Sequence, residues 1–439
     1  MKYFAERAWL GGSTFVDNVL ITCDGDRIAS VEPDGDPCHA YRLPGLVIPG
    51  LVNAHSHAFH RALRGATASG RGDFWTWREQ MYAVAGNLTP DTYLALARAT
   101  YAEMVLTGIT TVVEFHYLHH DRDGKPYADP NAMGHALTQA AAEAGIRLVL
   151  LDTCYLQSDV DGSPLSGPQL RFTDGDATGW AERASTVDTP HAGAAIHSVR
   201  GCPPEAMRTV ADWARAEGRP LHLHLSEQVK ENEACQAIHG RTPTELCADT
   251  GVLGENTTAV HATHLTKSDI ALLGSTGTGA CFCPTTERDL ADGIGPAARL
   301  VAAGTRLSLG SDSHAVIDLF EEARAVELNE RLATGERGSH QAVELLRAAT
   351  SGGAHAAGLG ALYGICVGGP ADLVAIRPDT VRTAGAAEAD PVAAVVFAAT
   401  GADVSHVVSG GRLVVSGGAH EGVEVARELA SAIGVARGG

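Results

Sequence analysis

The feature that most constrains the fold is an alternation, repeated eight times, between short apolar runs and segments of helical periodicity. The apolar runs have the length of buried strands and lie at 46–57, 109–117, 146–155, 193–200, 220–227, 258–264, 279–286 and 306–314. Helical patterns lie between most of them, at 89–108, 131–145, 203–218, 243–251, 268–274 and 295–304, and several end in glycine. Eight strand–helix units predict an α/β protein built on a (β/α)8 TIM barrel.

Short β-like segments flank this repeat on both sides. We predict strands at 5–10, 18–23 and 27–31 before it, then strands at 371–377, 392–398 and 405–415 and a helix at 422–433 after it. Gly410-Gly411 is a hairpin turn signal between SHVVS and RLVVS. Both flanks are therefore expected to form one small β-sandwich domain, 1–48 with 365–439, beside a catalytic barrel at 49–364. The stretch 61–90 predicts an insertion over the barrel mouth.

Most of the predicted strands end in side chains that can bind metals or carry protons. In a (β/α)8 barrel the C-terminal strand ends meet at one mouth, where the active site lies. The residues at these ends are His55, His57, His116, Tyr117, His197, Arg200, His222, His224, Glu227, His261, His264, Asp312 and His314. We expect them to converge at that mouth.

A metal centre is the first interpretation of this convergence. His55 and His57 are two residues apart, so both point to the same side of a strand. A bare pair of this kind is as often a hydrogen-bonded core pair, but its place at a strand end favours a metal. With His224 and Asp312 the pair gives three imidazoles and one carboxylate, which suits Zn²⁺, with Fe²⁺ as the alternative. Such an ion lowers the pKa of water towards about 7.

The remaining acids and lysines bear on the number of metal ions. A second ion needs a bridging group, commonly a modified lysine, and the runs 146–155 and 193–200 contain no lysine. We therefore expect one ion per chain. Glu114 is the residue that could change this, and we expect it to be a buried, paired carboxylate. Glu227, three residues after His224, is a candidate proton carrier, or else a solvated glutamate at a helix start.

Six motifs carry a resemblance to a known family: AHSHAFHRALRG, FWTWREQMY, VVEFHYLHHDRDGKPYADP, HLHLSEQ, VHATH and GSDSH. They resemble the deaminase branch of the amidohydrolase superfamily, and within it the formimidoylglutamate deiminases of histidine degradation. The resemblance implies metal-dependent hydrolysis of N-formimino-L-glutamate to N-formyl-L-glutamate and ammonia. It implies one zinc ion held by His55, His57, His224 and Asp312. It implies catalysis by Glu227, His261 and Asp312, with Glu227 as the proton shuttle.

The resemblance also implies a set of substrate contacts. By motif, the residues that hold the glutamate are His60, Arg78, Tyr117, His197 and Arg200. Guanidinium groups suit this role because they bind carboxylates in a bidentate way. Each of these residues has a simpler alternative: Arg78 as a helix-surface residue, Arg200 as the partner of a loop acid, and Tyr117 as a packed aromatic.

Two positions depart from the family pattern. His60 stands where the family form that we compare has glutamine, so either its imidazole takes over that substrate contact or the carboxylate subsite differs. The segment TTERDLADG follows the seventh run in place of a stretch of small residues, which could change the rim of the site near Arg288.

Composition excludes several classes of partner. Lys and Arg number 33 against 52 Asp and Glu, and the net charge of −19 argues against nucleic acid and anionic membranes. No apolar run approaches the roughly 20 residues of a membrane span. The nine cysteines are scattered, with no CxxC pair, which favours reduced thiols in the cytoplasm. We expect a small dianionic substrate and a homodimer.

Three other functions remain open at this point. A related deaminase could act on a nucleobase-type or other amidine substrate, for which aromatic stacking and amide groups are expected instead of paired arginines. A metal-binding barrel could act as an interaction scaffold without catalysis. The histidines could also be structural, with no metal at all.

Overall fold

The computed structural model describes residues 1–67 and 74–438, so 68–73 of the predicted insertion lie outside the described residues. Its strands are β1 (Lys2–Ala8), β2 (Val16–Asp24), β3 (Arg27–Pro33), β4 (Tyr41–Pro49), β5 (Leu51–Ser56), β6 (Ile109–His116), β7 (Arg147–Cys154), β8 (Ala192–Ile196), β9 (Leu221–Leu225), β10 (Thr257–His261), β11 (Gly279–Phe282), β12 (Leu307–Leu309), β13 (Leu373–Ile376), β14 (Val404–Ser409), β15 (Arg412–Ser416) and β16 (Ala419–His420).

The α-helices are α1 (Phe74–Asn87), α2 (Pro90–Leu106), α3 (Ala132–Ala144), α4 (Ala177–Ala184), α5 (Pro204–Ala216), α6 (Val229–His239), α7 (Pro243–Asp249), α8 (Lys267–Thr276), α9 (Pro284–Asp289), α10 (Ala297–Ala302), α11 (Leu319–Thr334), α12 (Ala342–Arg347), α13 (Gly353–Ala356), α14 (Ala386–Ala389), α15 (Pro391–Phe397) and α16 (Val425–Ala436). Three 3-10 turns lie among the described residues at Ala58–Leu63, Gly167–Phe172 and Gly401–Asp403, and a π-helical turn lies at Ala348–Gly352.

The strands β5 to β12 form one parallel sheet in sequence order, which is the predicted (β/α)8 barrel. Strands such as β6 and β9 are buried along their whole length, because the sheet is covered on both faces. The barrel closes between β5 and the residues after β12. There the N–H groups of Ser311 and Asp312 donate to the carbonyl of His55, at 3.1 and 3.0 Å. We call this junction the closing seam.

The second sheet takes strands from both sides of the barrel, as predicted. Its order is β16-β15-β14-β13-β4-β1-β2-β3, in one mixed sheet. Gly410 and Gly411 form the predicted hairpin turn with φ of 55° and 75°, a conformation that favours glycine. The chain passes from this sheet into the barrel through Gly50. A Cβ there would lie 2.0 Å from the Oγ1 of Thr110, so only glycine fits.

The prediction of a strand at 392–398 is wrong, because this segment lies in helix α15. The side chain of Asp390 caps that helix by accepting from the N–H of Ala393 at 2.9 Å, and Pro391 occupies its first turn. The valine-rich run favours a strand by residue type, but the cap signal before it decides for a helix. The closing helix predicted at 422–433 is α16. No helix among the described residues has the length and apolar character needed to cross a membrane.

Candidate active site

Four side chains meet at the C-terminal mouth of the barrel. They are His55 and His57 at the end of β5, His224 on β9 and Asp312 after β12, and one ligand atom from each lies within 4.8 Å of the others. The Nε2 of His55 lies 3.2 Å from the Nε2 of His224 and 3.2 Å from the Oδ1 of Asp312. The Nε2 of His57 lies 3.3 Å from that same oxygen. The structure thus brings all four predicted ligands together.

Main-chain carbonyls orient two of the imidazoles. The Nδ1–H of His57 donates to the carbonyl of Phe115 at 2.9 Å, and the Nδ1–H of His224 donates to the carbonyl of His197 at 2.8 Å. Because Nδ1 carries the proton in both rings, Nε2 is left as the electron-pair donor towards the shared centre. Three imidazole nitrogens and a carboxylate arranged in this way fit a divalent cation such as zinc.

The charge states of the four ligands suit a cation as well. Burial lowers the pKa of His55 to about 3 and also lowers the pKa values of His57 and His224, so these rings stay neutral. Burial alone would raise the pKa of Asp312, but the hydrogen bond from the imidazole of His55 and the positive charge of His261 hold it well below its usual value. The cluster therefore presents neutral nitrogens and one anionic oxygen.

Glu227 and His261 lie beside the cluster. The Nε2 of His261 is 3.8 Å from the Oε1 of Glu227 and 3.9 Å from the Oδ2 of Asp312, and its Nδ1 is 3.5 Å from the Oε1 of Glu287. Burial would lower the pKa of His261, but these three carboxylates raise it to about 10. In the protein without a metal ion, His261 is therefore a cationic hydrogen-bond donor.

Strained backbone accompanies these residues. Ser226, His261 and Asp312 have φ of 50°, 68° and 42°, backbone angles that residues other than glycine rarely adopt. Each lies at or just after the end of a barrel strand. Strain of this kind costs roughly 1–3 kcal/mol per residue and collects at functional sites, where the surrounding structure enforces it. The strand ends are thus held in geometries that the chain alone would not favour.

A cavity opens next to the cluster. The predicted site residues that line it are His57, His60, Arg78, Tyr117, His197, Arg200, His224, Glu227, His261 and Asp312. Every residue predicted to contact substrate therefore lies around the cavity that the metal ligands border. Their roles in binding remain predictions.

The two arginines have different surroundings. Arg78 lies on α1 and is half-buried, with its Nη2 donating to the hydroxyl of Tyr155 at 3.3 Å, so it is not a helix-surface residue. Arg200 is buried. Its Nη2 donates to the Oε2 of Glu227 at 2.9 Å, and its Nε is 2.8 Å from the Oε2 of Glu231. Arg200 thus pairs with acids, one of them the predicted proton shuttle, while it also borders the cavity.

His60, the departure from glutamine, contacts another predicted residue. Its Nε2 lies 2.9 Å from the hydroxyl of Tyr117, and its ring meets the indole of Trp77 edge-on with 5.0 Å between centroids. Burial lowers the pKa of His60 well below its ordinary value. The ring is therefore a neutral hydrogen-bonding group inside the cavity.

Comparison with known proteins settles the family. The family model for the amidohydrolases matches residues 46–414. The chain belongs to the amidohydrolase family. A formimidoylglutamate deiminase of Pseudomonas aeruginosa is 37% identical over 438 residues, 96% of each chain. A 5-methylthioadenosine/S-adenosylhomocysteine deaminase of Pelotomaculum thermopropionicum is 30% identical over 408 residues, 90% of this chain and 88% of that one.

Solved structures agree with this assignment. An amidohydrolase from Brucella melitensis has a TM-score of 0.90 at 31% identity, covering 99% of both chains. An adenosine deaminase from Xanthomonas campestris, solved with bound zinc, shares the fold with a TM-score of 0.84 at 23% identity, covering 99% of this chain and 97% of that one. The predicted family and fold are confirmed, and this amidohydrolase is a hydrolase of non-peptide C–N bonds.

Several neighbours of the cavity in this amidohydrolase were not predicted. Tyr82 and Tyr155 line it, while from outside it Glu287 contacts the predicted catalytic residue His261 and Glu231 contacts the predicted substrate residue Arg200. Strand order could have indicated Glu287, because this residue follows β11 and contacts His261 on the neighbouring β10. The unusual segment TTERDLADG thus meets the site through Glu287 and through Leu290, which lines the cavity.

The structure places two further residues, Arg288 and His222, differently from what we expected. Arg288, which we expected near the rim, pairs with Glu321 at 3.0 Å and does not line the cavity. His222 shares a strand face with His224 but stands apart from the cluster. Its Nε2–H donates to the carbonyl of Ala356 at 2.8 Å instead.

Proposed function

We propose that this amidohydrolase converts N-formimino-L-glutamate and water to N-formyl-L-glutamate and ammonia, in histidine degradation, with one zinc ion per chain. The observation that carries the proposal is the presence of Arg78 and Arg200 on the cavity that the metal ligands border. In a chain of net charge −19, a cavity lined by two guanidinium groups favours an anionic substrate, with Arg78 as the main carboxylate partner because Arg200 already pairs with Glu227 and Glu231. The Pseudomonas aeruginosa relative bears the corresponding name.

The carboxylate end of the substrate is assigned to the side of the cavity away from the cluster. Arg78 there is held by hydrogen bonds to the hydroxyls of Tyr82 and Tyr155. These contacts orient the guanidinium plane, which favours bidentate carboxylate binding. Tyr117 and His60, whose rings lie beside that of the ligand His57, supply further neutral hydrogen-bonding groups between this end and the cluster.

The formimino carbon then faces the cluster. His55, His57, His224 and Asp312 would hold the zinc ion. When bound, the ion supplies a Lewis acid that activates water. Water adds its oxygen to the formimino carbon, and the bond from that carbon to the terminal nitrogen breaks.

Glu227 and His261 handle protons and charge in this reaction. Arg200 fixes one oxygen of Glu227 and leaves Oε1 towards His261 and the cavity, which suits a shuttle. Glu227 carries both protons of the water to the departing imino nitrogen, one as the oxygen adds and one as the carbonyl forms, so that this nitrogen leaves as ammonia. His261 donates a hydrogen bond to the charge that develops on the tetrahedral centre.

A nucleoside-type substrate is the second candidate. The rings of Trp77, Tyr82, Tyr155 and Phe172 line the cavity and offer faces on which a base could stack. The Pelotomaculum thermopropionicum relative is named as a deaminase of such compounds. The presence of both Arg78 and Arg200 on the cavity favours the dianionic substrate over this alternative.

Ammonia release separates the two candidates. The zinc-loaded protein is assayed with N-formimino-L-glutamate, 5-methylthioadenosine and 8-oxoguanine under the same conditions. We expect turnover with the first compound and none above background with the other two. Turnover of a purine compound in the absence of formiminoglutamate hydrolysis would overturn the proposal.

A further inference from the structure

Glu114 is a fully buried acid that the reaction above does not use. It lies on β6, and its Oε2 accepts from the hydroxyl of Ser56 at 2.7 Å while its Oε1 accepts from the N–H of Ala58 at 2.6 Å. These two donors lie on either side of His57 in the chain. The carboxylate thus holds the ligand segment of β5 from both sides of a ligand. It is buried, as expected, and its hydrogen-bond partners are neutral donors.

A chain of buried side chains continues from Glu114 across the closing seam. Ser56 lies 3.3 Å from the Nε2 of His314, whose Nδ1 lies 3.0 Å from the hydroxyl of Ser311. That hydroxyl accepts from the Nδ2–H of Asn53 at 2.7 Å. We call these five residues the seam network, and all five are 0% exposed.

The donor direction along the seam network is fixed by its two ends. The carboxylate of Glu114 accepts from Ser56, so the Nε2–H of His314 must donate to Ser56. The Nδ1 of His314 then accepts from Ser311, whose oxygen accepts in turn from Asn53. Each link in this chain has one donor and one acceptor, so every hydrogen bond strengthens the geometry of the next.

The closing seam needs such support because its backbone pairing is short. The described strands meet there in a single bridge, between Ser56 and Asp312, whereas β10 and β11 pair three residues and β6 and β7 pair six. Yet His55 and His57 lie on one side of this junction and Asp312 lies on the other. Three main-chain hydrogen bonds join the two groups there, from Ser311 and Asp312 to the carbonyl of His55 and from His57 to the carbonyl of Asp312, and the seam network adds side-chain bonds to this short pairing.

We propose that Glu114 is a positioning residue of the metal centre, which sets metal affinity by holding the two ligand segments together through the seam network. It touches neither the cavity nor a ligand atom, so it acts through Ser56, Ala58 and His314. The cost of keeping it there supports a specific role: burial raises the pKa of Glu114 to about 7, although Ala58 and Ser56 donate to it. A glutamate with no positioning role would carry the same cost of burial without holding the ligand segments in place.

The chain contains a matched control for this acid. Glu322 on α11 is also 0% exposed, and its carboxylate accepts from the N–H of Thr285 at 2.9 Å and from the hydroxyl of the same residue. It therefore has the same two kinds of donor as Glu114. Neither donor is adjacent to a metal ligand in sequence.

The experiment compares Glu114→Gln with Glu322→Gln in the full chain. Zinc affinity is measured by competition with a chelator, and the stability of the metal-free protein is measured by urea unfolding. In Glu114→Gln the amide can accept from one donor but turns its NH₂ towards the other. We expect zinc affinity to fall about 10- to 100-fold, the usual effect of losing a group that orients metal ligands. Glu322→Gln is expected to lose metal-free stability but to keep wild-type zinc affinity.

Two results would overturn the proposal: wild-type zinc affinity in Glu114→Gln, or an equal loss of zinc affinity in Glu322→Gln. If Glu114→Gln does not fold, Ser56→Ala gives the same test, because it removes one hydroxyl and leaves the bond from Ala58. Thr285→Ala is its control at Glu322. We then expect zinc affinity to fall in Ser56→Ala and to stay at the wild-type level in Thr285→Ala. An unchanged zinc affinity in Ser56→Ala would also overturn the proposal. Neither measurement depends on the identity of the substrate.

Discussion

The two walls of the cavity are built in different ways. The metal wall, formed by His55, His57, His224 and Asp312, stands on barrel strands, and main-chain carbonyls orient two of its rings. The substrate wall, formed by Arg78, Tyr82, Tyr117 and Tyr155, comes from a helix and from residues that directly follow strands. Its members are held by one another, as in the hydrogen bond from Arg78 to Tyr155.

The fold dictates the arrangement of the metal wall, whereas the residues of the substrate wall can vary within a family. The metal wall is anchored to the main chain at the strand ends of the barrel, so its arrangement follows from the fold. Contacts between side chains can be replaced one at a time. We therefore expect changes on the metal wall to abolish chemistry and changes on the substrate wall to alter recognition. Five variants test this division.

The largest effect is expected from Asp312→Ala. This change removes the one carboxylate among the four ligands, so zinc retention and turnover should be lost together. Binding of a metal to the folded state alone stabilises a protein by about 2.7 kcal/mol at a hundredfold excess over Kd. The rise in unfolding free energy on adding zinc should therefore disappear in this variant. Retained zinc in elemental analysis would contradict the assigned ligand set.

Glu227→Gln should separate the chemistry from the metal. The amide cannot shuttle a proton, and a positioned acid/base group contributes about 10²- to 10⁴-fold to rate. We expect kcat to fall by that factor while zinc content stays at the wild-type level. Normal turnover would remove Glu227 from the role, and lost zinc would place it on the metal wall instead.

Arg78→Ala and Arg200→Ala should differ from each other. Hydrogen bonds to charged groups contribute about 1.5–3 kcal/mol, so loss of Arg78 should raise KM for the dianion roughly 10- to 100-fold with little change in kcat. Arg200 also binds the Oε2 of Glu227, so its loss should lower kcat as well as raise KM. Steady-state kinetics of both variants at equal zinc content give the comparison. Identical kinetic parameters in the two variants would contradict the different contacts of these arginines.

The smallest effect is expected from His60→Gln. A glutamine side chain can replace the neutral imidazole as partner of the Tyr117 hydroxyl, so KM should change less than about tenfold and kcat should hold. The same panel of substrates is measured for this variant and the wild type. A switch in preferred substrate would show that position 60 selects the substrate.

The barrel and the metal wall could be predicted because each depends on a repeated local pattern. Apolar runs that end in His55, His224 or Asp312 show both the strand and the side chain at its end. The segment 392–398 was missed because its valines favour a strand, while the cap by Asp390 acts through a single hydrogen bond. Residue type outweighed the cap in the prediction, and the reverse holds in the folded chain.

Contacts between loops were harder to predict than strand ends. The ion pair of Arg200 with Glu231 joins the loop after β8 to helix α6, and no periodicity in either segment indicates it. Glu114 was recognised as buried, but its bonds to Ser56 and Ala58 depend on the register of β5 against β6, which includes irregular steps. Such steps follow from packing of the whole barrel, not from local sequence.

The passage of the chain through the mixed sheet has a consequence for biosynthesis. Strand β4 leaves the ribosome before the barrel does, but its neighbour β13, which pairs Leu373 with Pro49, is translated after the barrel. The nascent chain therefore carries an open strand edge throughout translation of the intervening segments, a state prone to mispairing with other chains. Demand for chaperones should accordingly be greatest before the final hairpins emerge.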